Sequence, residues 1–171
     1  MRLVEVESKI KIKNFDEARK KIRKIAKFIK LEKKIDDYYS LRYNKYPKKS
    51  LRVRDKGKKR EVNFKQRLNY KNGIWAKKEV EFEVSDLKGF YELLEDFGFK
   101  KWLRKEKITE LYRTNDEVSI ELNYVKNLGW FIEIENARRK IAKVRNLLGM
   151  KRNEIEKKGY TRALWELKKE H

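Results

Sequence analysis

The feature that most constrains the fold is a regular alternation of apolar and charged residues along several short stretches of the chain. The first stretch runs from Val4 to Ile12, and within it Glu5, Glu7 and Lys9 occupy every second position. Because successive side chains of a β-strand point to opposite faces, these three charges share one face and the apolar side chains take the other. The pattern predicts a strand that buries its apolar face and presents an ordered array of charges on the opposite face.

The same alternation returns along much of the chain. It is found in residues 50–54, 60–66, 76–84, 118–125 and 130–135, and residues 35–41 and 99–113 are also predicted to be extended. Turns are predicted at 55–58, at Asn72-Gly73 within a loop that begins at Arg67, and at 114–116. Because adjacent strands joined by tight turns must be antiparallel, we expect an antiparallel sheet.

Three helices and a short amphipathic tail are predicted between and after the strands. Asn14 and Glu17 have the spacing of a helix N-cap and its acidic partner, and an apolar stripe then continues as far as Ile29. Similar stripes predict helices at 86–97 and 137–148 and the tail at 160–167.

These elements predict an α+β fold in a single domain, residues 1–171. Each strand has one charged face, and three helices are available to cover the apolar faces. We therefore expect an eight-stranded antiparallel β-barrel, or tunnel, with a polar, charged interior and with helices packed outside.

The net charge of +21, from 48 Lys and Arg against 27 Asp and Glu, favours an anionic partner. Nucleic acid, an acidic membrane surface and a small phosphate-rich ligand all meet that requirement. The chain has no cysteine, which excludes disulfides, thiol nucleophiles and zinc thiolate sites. It also has no apolar run of membrane-spanning length, and its first residues enter a charged strand instead of a signal peptide. A cytoplasmic protein that does not act in a membrane is expected.

The charged strand faces together supply side chains of both signs. The carboxylates are Glu5, Glu7, Glu79, Glu81, Glu121, Glu133 and Glu135. The cations are Lys9, Arg52, Arg54, Lys65 and one or more of Lys105, Lys107 and Arg113. Since buried charges must be paired, one interpretation is a self-satisfied lattice of ion pairs. The other is a polyphosphate site, in which phosphate oxygens bind Arg and Lys while the accompanying Mg²⁺ or Mn²⁺ binds carboxylates.

Several of these segments, in order along the chain, resemble the motifs of one family. Glu5-Val6-Glu7-Ser8-Lys9 matches the ExExK signature of the CYTH domain, the triphosphate tunnel metalloenzyme superfamily. Its other motifs are matched by Asp36-Asp37-Tyr38-Tyr39, Leu51-Arg52-Val53-Arg54, Phe64-Lys65, Glu79-Val80-Glu81, the LGWFIEIE segment at 128–135, and Gly159-Tyr160 with Leu164. The matches cover nearly the whole chain and resemble most the class IV adenylyl cyclase branch.

The resemblance implies a tunnel in which cations hold a triphosphate and glutamates hold Mg²⁺ or Mn²⁺. It assigns the metal to Glu5, Glu7, Glu133 and Glu135, with Glu79, Glu81 and Glu121 as further candidates. It assigns the phosphates to Lys9, Arg52, Arg54, Lys65, Lys105, Lys107 and Arg113, and the catalytic roles to Glu5, Glu7, Lys9 and Lys65. Many members carry Asp at the position of Asn123, and an amide is a weaker metal ligand than a carboxylate.

By the same resemblance, the expected activity is conversion of ATP into cyclic AMP and pyrophosphate. Two alternatives remain open. The first is hydrolysis of inorganic triphosphate, thiamine triphosphate or a nucleoside triphosphate in the same tunnel. The second is a non-catalytic module that binds RNA or another polyanion; it is less favoured because nucleic-acid readers usually expose aromatic side chains beside their basic residues. The sequence does not specify the oligomeric state.

Overall fold

The computed structural model describes residues 2–47, 49–55, 60–151 and 154–169, without the side chains of Arg2, Leu3, Lys65 and Arg67. The strands are β1 (Arg2–Ile12), β2 (Ala26–Ser40), β3 (Leu51–Asp55), β4 (Arg60–Lys71), β5 (Ile74–Val84), β6 (Lys100–Thr114), β7 (Ser119–Val125) and β8 (Gly129–Glu135). The helices are α1 (Phe15–Ile25), α2 (Leu87–Asp96), α3 (Arg138–Leu147) and α4 (Tyr160–Lys169). The predicted turn at 55–58 lies outside the described residues from position 56 onwards. Among the helices within these ranges, none is long and apolar enough to span a membrane.

The eight strands close into one barrel in the order β1-β5-β4-β3-β2-β6-β7-β8, and each described pair is antiparallel. Strand β1 completes the barrel, because its first half pairs with β5 and its second half pairs with β8. Glu5 thereby lies opposite Lys77, and Lys9 lies opposite Glu133. The predicted α+β fold, with an eight-stranded antiparallel barrel and helices packed outside it, is confirmed.

The apolar core lies on the outer side of the barrel wall, between the strands and helices α1 and α3. Ile22 of α1 and Ile141 of α3 pack there with Ile10, Ile132 and Ile134 of the strands, and all five are fully buried. Burying one such side chain contributes roughly 1.5–3 kcal/mol. Because neighbouring strand residues point the other way, packing the apolar faces against the helices turns the charged faces toward the tunnel.

Helix α1 is shorter than the sequence predicts, and β2 is correspondingly longer. The predicted N-cap is present, since the Oδ1 of Asn14 accepts a hydrogen bond from the backbone of Glu17 at 3.1 Å. The helix ends at Ile25, however, and the chain from Ala26 onward is extended and pairs with β6 along nearly its whole length. The spacing that continues to Ile29 imitates a helix, but pairing with a neighbouring strand overrides this local preference.

The predicted loop at 67–73 is also corrected. Strand β4 continues to Lys71, and it remains paired with β5 through a register shift between Arg67 and Asn69. Only Asn72 and Gly73 form the turn, with φ values of 54° and 77°. Two residues of positive φ are what a two-residue hairpin connection requires, so the Asn-Gly turn was correctly placed but its flanks belong to the strands.

Candidate functional site

The inward-facing side chains of the barrel surround a cavity of about 610 Å³. Ten of the predicted site residues line it, namely Glu5, Glu7, Lys9, Arg52, Arg54, Lys105, Lys107, Glu121, Glu133 and Glu135. They come from β1, β3, β6, β7 and β8 and meet because the alternation of each strand points them to the same side. Within the described residues, ten cationic side chains and five carboxylates line the cavity, so its wall carries an excess of positive charge.

The carboxylates are concentrated on the adjacent strands β7, β8 and β1. In register, Glu121 lies opposite Glu133, Glu133 lies opposite Lys9, and Glu7 lies opposite Glu135. The Nζ atom of Lys9 is 3.7 Å from a carboxylate oxygen of Glu7 and 3.9 Å from one of Glu133. Lys9 therefore joins two carboxylates that the family resemblance assigns to a metal.

Lys107 makes a second link on this acidic wall. Its Nζ atom lies 2.7 Å from Glu121 and 3.8 Å from Glu133, and Lys34 of β2 lies 2.7 Å from the other carboxylate oxygen of Glu121. Burial alone would raise the pKa of Glu133, but the charges of Lys107 and Lys9 outweigh it and hold that pKa well below its usual range. The buried carboxylate of Glu133 is therefore ionised at neutral pH.

The facing wall, formed by β2, β3 and β6, is mainly cationic. Arg54 donates hydrogen bonds to both carboxylate oxygens of Asp36, at 2.6 and 3.0 Å, and Lys105 lies 2.8 Å from the same group. Burial lowers the pKa of Lys105 to about 8, although the charge of Asp36 opposes this shift. Since one carboxylate serves two cations, this wall retains positive charge that can face a ligand.

Three buried polar atoms on residues that line the cavity lack a hydrogen-bond partner among the described residues. They are the Nε atom of Arg52, the Oδ1 atom of Asn63 and the hydroxyl oxygen of Tyr160. Arg52 donates through Nη2 to Glu61 at 2.8 Å, and Asn63 donates through Nδ2 to Glu79. The Nε atom of Arg52 and the Oδ1 atom of Asn63 make no hydrogen bond to these neighbours. A buried polar atom without a partner costs about 1–3 kcal/mol. Such atoms beside a polar cavity are typical of a surface that a ligand completes.

The acidic wall fits a divalent cation in its donor chemistry. Glu5, Glu7, Glu133 and Glu135 offer only carboxylate oxygens, which are the ligands that Mg²⁺ and Mn²⁺ prefer. In the part of the chain that the structure describes, no three carboxylates or imidazoles converge closely enough to form a ready metal site. Glu7 is instead paired with Lys77 and Lys9. A metal at this wall would therefore take the place of lysine ammonium groups.

Asn123 is placed between two of these carboxylates. Its Oδ1 accepts a hydrogen bond from the hydroxyl of Thr109 at 2.7 Å, and its Nδ2 donates to Glu121 and Glu133, both at 3.3 Å. The amide is completely buried. With its oxygen occupied by Thr109, Asn123 acts toward the acidic wall as a hydrogen-bond donor.

Among the predicted site residues whose side chains the structure describes, three do not line the cavity. Arg113 stands near the end of β6 and pairs with Glu117 at 3.1 Å, with 43% of its side chain exposed. Glu79 and Glu81 lie beside the lining, where Asn63 donates hydrogen bonds to them. The backbone of Lys65 lies opposite Glu79 in the sheet, but its side chain is outside the described residues.

The cavity also contains residues that the sequence reasoning missed. Lys77 could have been found, because it shares the inward alternation of Glu79 and Glu81. Lys34 was missed because the predicted strand began only at Ile35, whereas β2 begins at Ala26. The remaining residues come from irregular segments or from the start of α4, so only the tertiary fold reveals them: Tyr46, Pro47, Lys157, Lys158, Thr161 and Arg162.

Comparison with known proteins gives matches among solved structures, whereas no family model and no curated protein matches the chain. The PH1012 protein of Pyrococcus horikoshii OT3 is 32% identical, with a TM-score of 0.78 over 92% of this chain and 98% of that chain. A Vibrio parahaemolyticus protein, provisionally assigned as an adenylate cyclase, is 18% identical with a TM-score of 0.71, over 94% and 97% of the two chains. HpAC1 of Hippeastrum, described as having a dominant triphosphatase activity, is 14% identical with a TM-score of 0.70, over 96% of both chains.

The match to PH1012 extends over nearly the full length of both chains at an identity that indicates common descent. The two more distant matches have the same fold. The motifs that the sequence shows in order, from ExExK on β1 to LGWFIEIE on β8, lie on the strands of a closed eight-stranded tunnel. The chain belongs to the CYTH-domain superfamily of triphosphate tunnel metalloenzymes.

Proposed function

We propose that the protein is a divalent-metal-dependent enzyme that acts on a triphosphate inside the tunnel, with conversion of ATP into cyclic AMP and pyrophosphate as the first reaction to test. The observation that carries this proposal is the cationic wall, with the buried Arg52, its unpartnered Nε atom and the shared pair of Arg54 and Lys105 on Asp36. Guanidinium and ammonium groups in an enclosed polar cavity match phosphate oxygens in charge and geometry.

The chain's own residues would divide the work between the two walls. Arg52, Arg54 and Lys105 of the cationic wall, together with Lys9 and Lys107 beside the acidic wall, would bind the phosphate oxygens and offset their charge. The prediction for Lys65 remains that it joins them. Transfer at phosphorus depends mainly on positioning and on stabilising developing charge, which this wall can supply without a covalent intermediate.

Glu5, Glu7, Glu133 and Glu135 would hold Mg²⁺ or Mn²⁺ on the acidic wall. The metal, when bound, would polarise the phosphate oxygens and neutralise part of their charge. Phosphate entering the tunnel would also attract Lys9 and Lys77 away from Glu7, which frees that carboxylate. Triphosphate and metal are therefore expected to bind together more tightly than either binds alone.

Hydrolysis of the triphosphate is the second candidate reaction. The fold that this chain shares with HpAC1, described as having a dominant triphosphatase activity, supports it. Both reactions need the same phosphate-binding wall. They differ in the attacking group, which is the substrate's own 3′-hydroxyl in cyclisation and water in hydrolysis.

The test is to incubate the protein with Mg²⁺ or Mn²⁺ and either ATP or tripolyphosphate, and to follow cyclic AMP, pyrophosphate and phosphate. We expect turnover that Glu7→Gln lowers by about 100-fold or more. The matched control is Glu92→Gln, which removes an exposed carboxylate on α2 and should leave turnover unchanged.

Three outcomes would contradict the proposal. The first is the absence of turnover of any triphosphate. The second is unfolding of the Glu7→Gln variant, which would indicate that the charges form a lattice of ion pairs that stabilises the fold. The third is salt-sensitive RNA binding without turnover, which would favour the polyanion-binding module.

A further inference from the structure

Lysines from two other strands occupy both carboxylate oxygens of Glu121 on the acidic wall. The Nζ atom of Lys34 on β2 lies 2.7 Å from Oε1, and the Nζ atom of Lys107 on β6 lies 2.7 Å from Oε2. Only 13% of the Lys34 side chain and 5% of the Lys107 side chain are exposed. Glu121 therefore holds an ammonium group on each oxygen, and both groups are largely withdrawn from water.

The amide of Asn123 points its hydrogen atoms at the same carboxylate. Its Nδ2 atom lies 3.3 Å from an oxygen of Glu121 and 3.3 Å from an oxygen of Glu133, and its Oδ1 atom accepts a hydrogen bond from Thr109. Asn123 and Thr109 are both completely buried. A divalent cation binds oxygen lone pairs, so an N–H donor between two carboxylates disfavours a metal at that point.

The part of the wall around Glu121 is also close to neutral. Lys34 and Lys107 together balance the charges of Glu121 and Glu133, and Lys107 reaches both carboxylates, at 2.7 and 3.8 Å. A metal bound between Glu121 and Glu133 would have to displace both lysines and leave Lys107 buried without these partners, which is strongly unfavourable. The charge that two neighbouring carboxylates require is therefore already supplied by side chains of this chain.

The other carboxylates of the cavity lie on strand β1 and on the end of β8 beside it. Glu7 lies opposite Glu135 in register, and Glu5 precedes Glu7 on the same face of β1. The cations that contact Glu7 include Lys9 and Lys77. Unlike a neutral amide that a threonine holds in place, these are charged side chains that a bound phosphate attracts. This part of the wall, which we call the β1 half, can therefore exchange ammonium groups for a metal when phosphate enters.

We propose that the tunnel binds a single divalent cation, in the β1 half of the acidic wall, and that Lys34 and Lys107 take the place of a second ion beside Glu121. This inference rests on the proposed function, since it concerns the metal of the same cavity. Each ammonium group has three N–H donors, so both lysines can contact a phosphate oxygen while they keep their contacts with Glu121. They supply to the phosphates the positive charge that a second ion would bring.

The experiment counts the Mn²⁺ ions that bind to the protein, by following the electron paramagnetic resonance signal of free Mn²⁺ during a titration without nucleotide. The natural chain should bind a single Mn²⁺ ion. Asn123→Asp combined with Lys34→Met should bind a second ion, because a ligand replaces the amide donor and one oxygen of Glu121 loses its lysine. Two neighbouring Mn²⁺ ions couple magnetically, so the second ion should also broaden the spectrum of the bound metal.

The matched control is Asn123→Asp combined with Lys33→Met. Lys33 directly precedes Lys34 on β2, and its side chain is exposed. This variant has the same added carboxylate and the same loss of one positive charge, but it keeps Lys34 on Glu121. It should therefore bind a single Mn²⁺ ion.

Three results would overturn the inference: a second ion in the natural chain, a single ion in the Lys34→Met combination, or a second ion in the Lys33→Met control. The first needs no substitution, so it tests the inference even where a variant does not fold. Failure of the natural chain to bind any Mn²⁺ would overturn it as well. The proposed function is decided separately, by turnover of ATP or tripolyphosphate, because a triphosphate can bring its metal with it.

Discussion

Lys105 carries a pH-dependent charge in the wall of the tunnel. Burial lowers its pKa to about 8, and the nearby cations Lys107, Arg54 and Arg52 act in the same direction, whereas Asp36 opposes the shift. The amine is thus charged at pH 7 and largely neutral at pH 9. A neutral amine no longer attracts phosphate, so under the proposed function the affinity for ATP should fall as Lys105 loses its proton, in a pH range in which ATP itself stays fully ionised.

We predict that the affinity for ATP falls several-fold between pH 7.5 and pH 9, as the pH rises through the pKa of Lys105. Calorimetric titrations across this range give the measurement. Lys105→Arg keeps its charge throughout and should show a flatter profile, so identical profiles for the two proteins would contradict the assignment. The stability of the unliganded protein should change in the opposite direction. Between pH 8 and 10.5 the unfolded chain keeps the proton of Lys105 and the folded chain loses it, so the destabilising effect of this buried charge disappears as the pH rises across that interval.

At position 123, the choice between the neutral amide of Asn and the carboxylate of Asp changes the charge of the acidic wall. The Nδ2 of Asn123 donates to Glu121 and Glu133, so it lessens the repulsion between two neighbouring carboxylates. A carboxylate at this position would add a metal ligand and at the same time remove these two hydrogen bonds. Metal affinity and stability without metal should therefore change in opposite directions.

We predict that Asn123→Asp binds Mn²⁺ about 10-fold more tightly than the natural chain, because added ligand charge raises the affinity of oxygen-based sites. Without metal, it should lose about 1–3 kcal/mol of unfolding free energy. Calorimetry with Mn²⁺ and urea denaturation provide the two readouts. Asn123→Ala is the control, since it removes the amide without adding charge. Tighter Mn²⁺ binding by the alanine variant would mean that the new carboxylate is not a ligand.

At the scale of the elements, a barrel strand has one face in the apolar core and the opposite face in the charged tunnel. In β8, Ile132 and Ile134 are fully buried in the core beneath the helices, while Glu133 and Glu135 line the cavity. The alternation of apolar and charged residues was sufficient to predict this division. It also identified most of the acidic wall, because register and facing follow from a period of two.

We predict that neighbouring substitutions on β8 have separable effects. Ile132→Ala should lower the unfolding free energy by about 2–5 kcal/mol, through lost burial and a cavity, while leaving the affinity for ATP unchanged at temperatures where the protein is folded. Glu133→Gln should weaken the joint binding of ATP and Mn²⁺. Urea denaturation and calorimetry on both variants supply the comparison. A large change in ATP affinity for Ile132→Ala would show that the core and the tunnel are not independent.

Other elements could not be predicted correctly because long-range contacts decide them. Residues 26–29 continue the apolar spacing of helix α1 as far as Ile29, yet they belong to a strand because β6 offers a long pairing partner. Lys34 was absent from the predicted site because the predicted strand began only at Ile35. Arg113 follows the inward alternation of β6, but it stands at the end of the strand and reaches Glu117 instead of the cavity. The start of α4 enters the cavity through packing on β6, which no local pattern reveals.

At the scale of the whole molecule, the net charge of +21 acts against folding and in favour of anion binding. Many surface cations are paired, for example Lys143 with Asp116, but such exposed pairs contribute little. The cations of the tunnel are close together and buried, so their mutual repulsion is screened only weakly by salt. Two kinds of anion effect should therefore be distinguishable, a general one on the surface and a specific one in the tunnel.

We predict that sodium chloride raises the thermal unfolding midpoint by screening the surface, and that tripolyphosphate raises it further at constant ionic strength. A ligand that binds only the folded tunnel adds about 2.7 kcal/mol of stability at 100 times its dissociation constant. Differential scanning fluorimetry would compare tripolyphosphate with sulfate at matched ionic strength. Arg52→Met, which lacks a buried cation of the tunnel, should lose much of the additional shift and keep the response to salt. If tripolyphosphate stabilises the protein no more than sulfate does, the excess charge acts through the surface alone and the tunnel does not select a triphosphate.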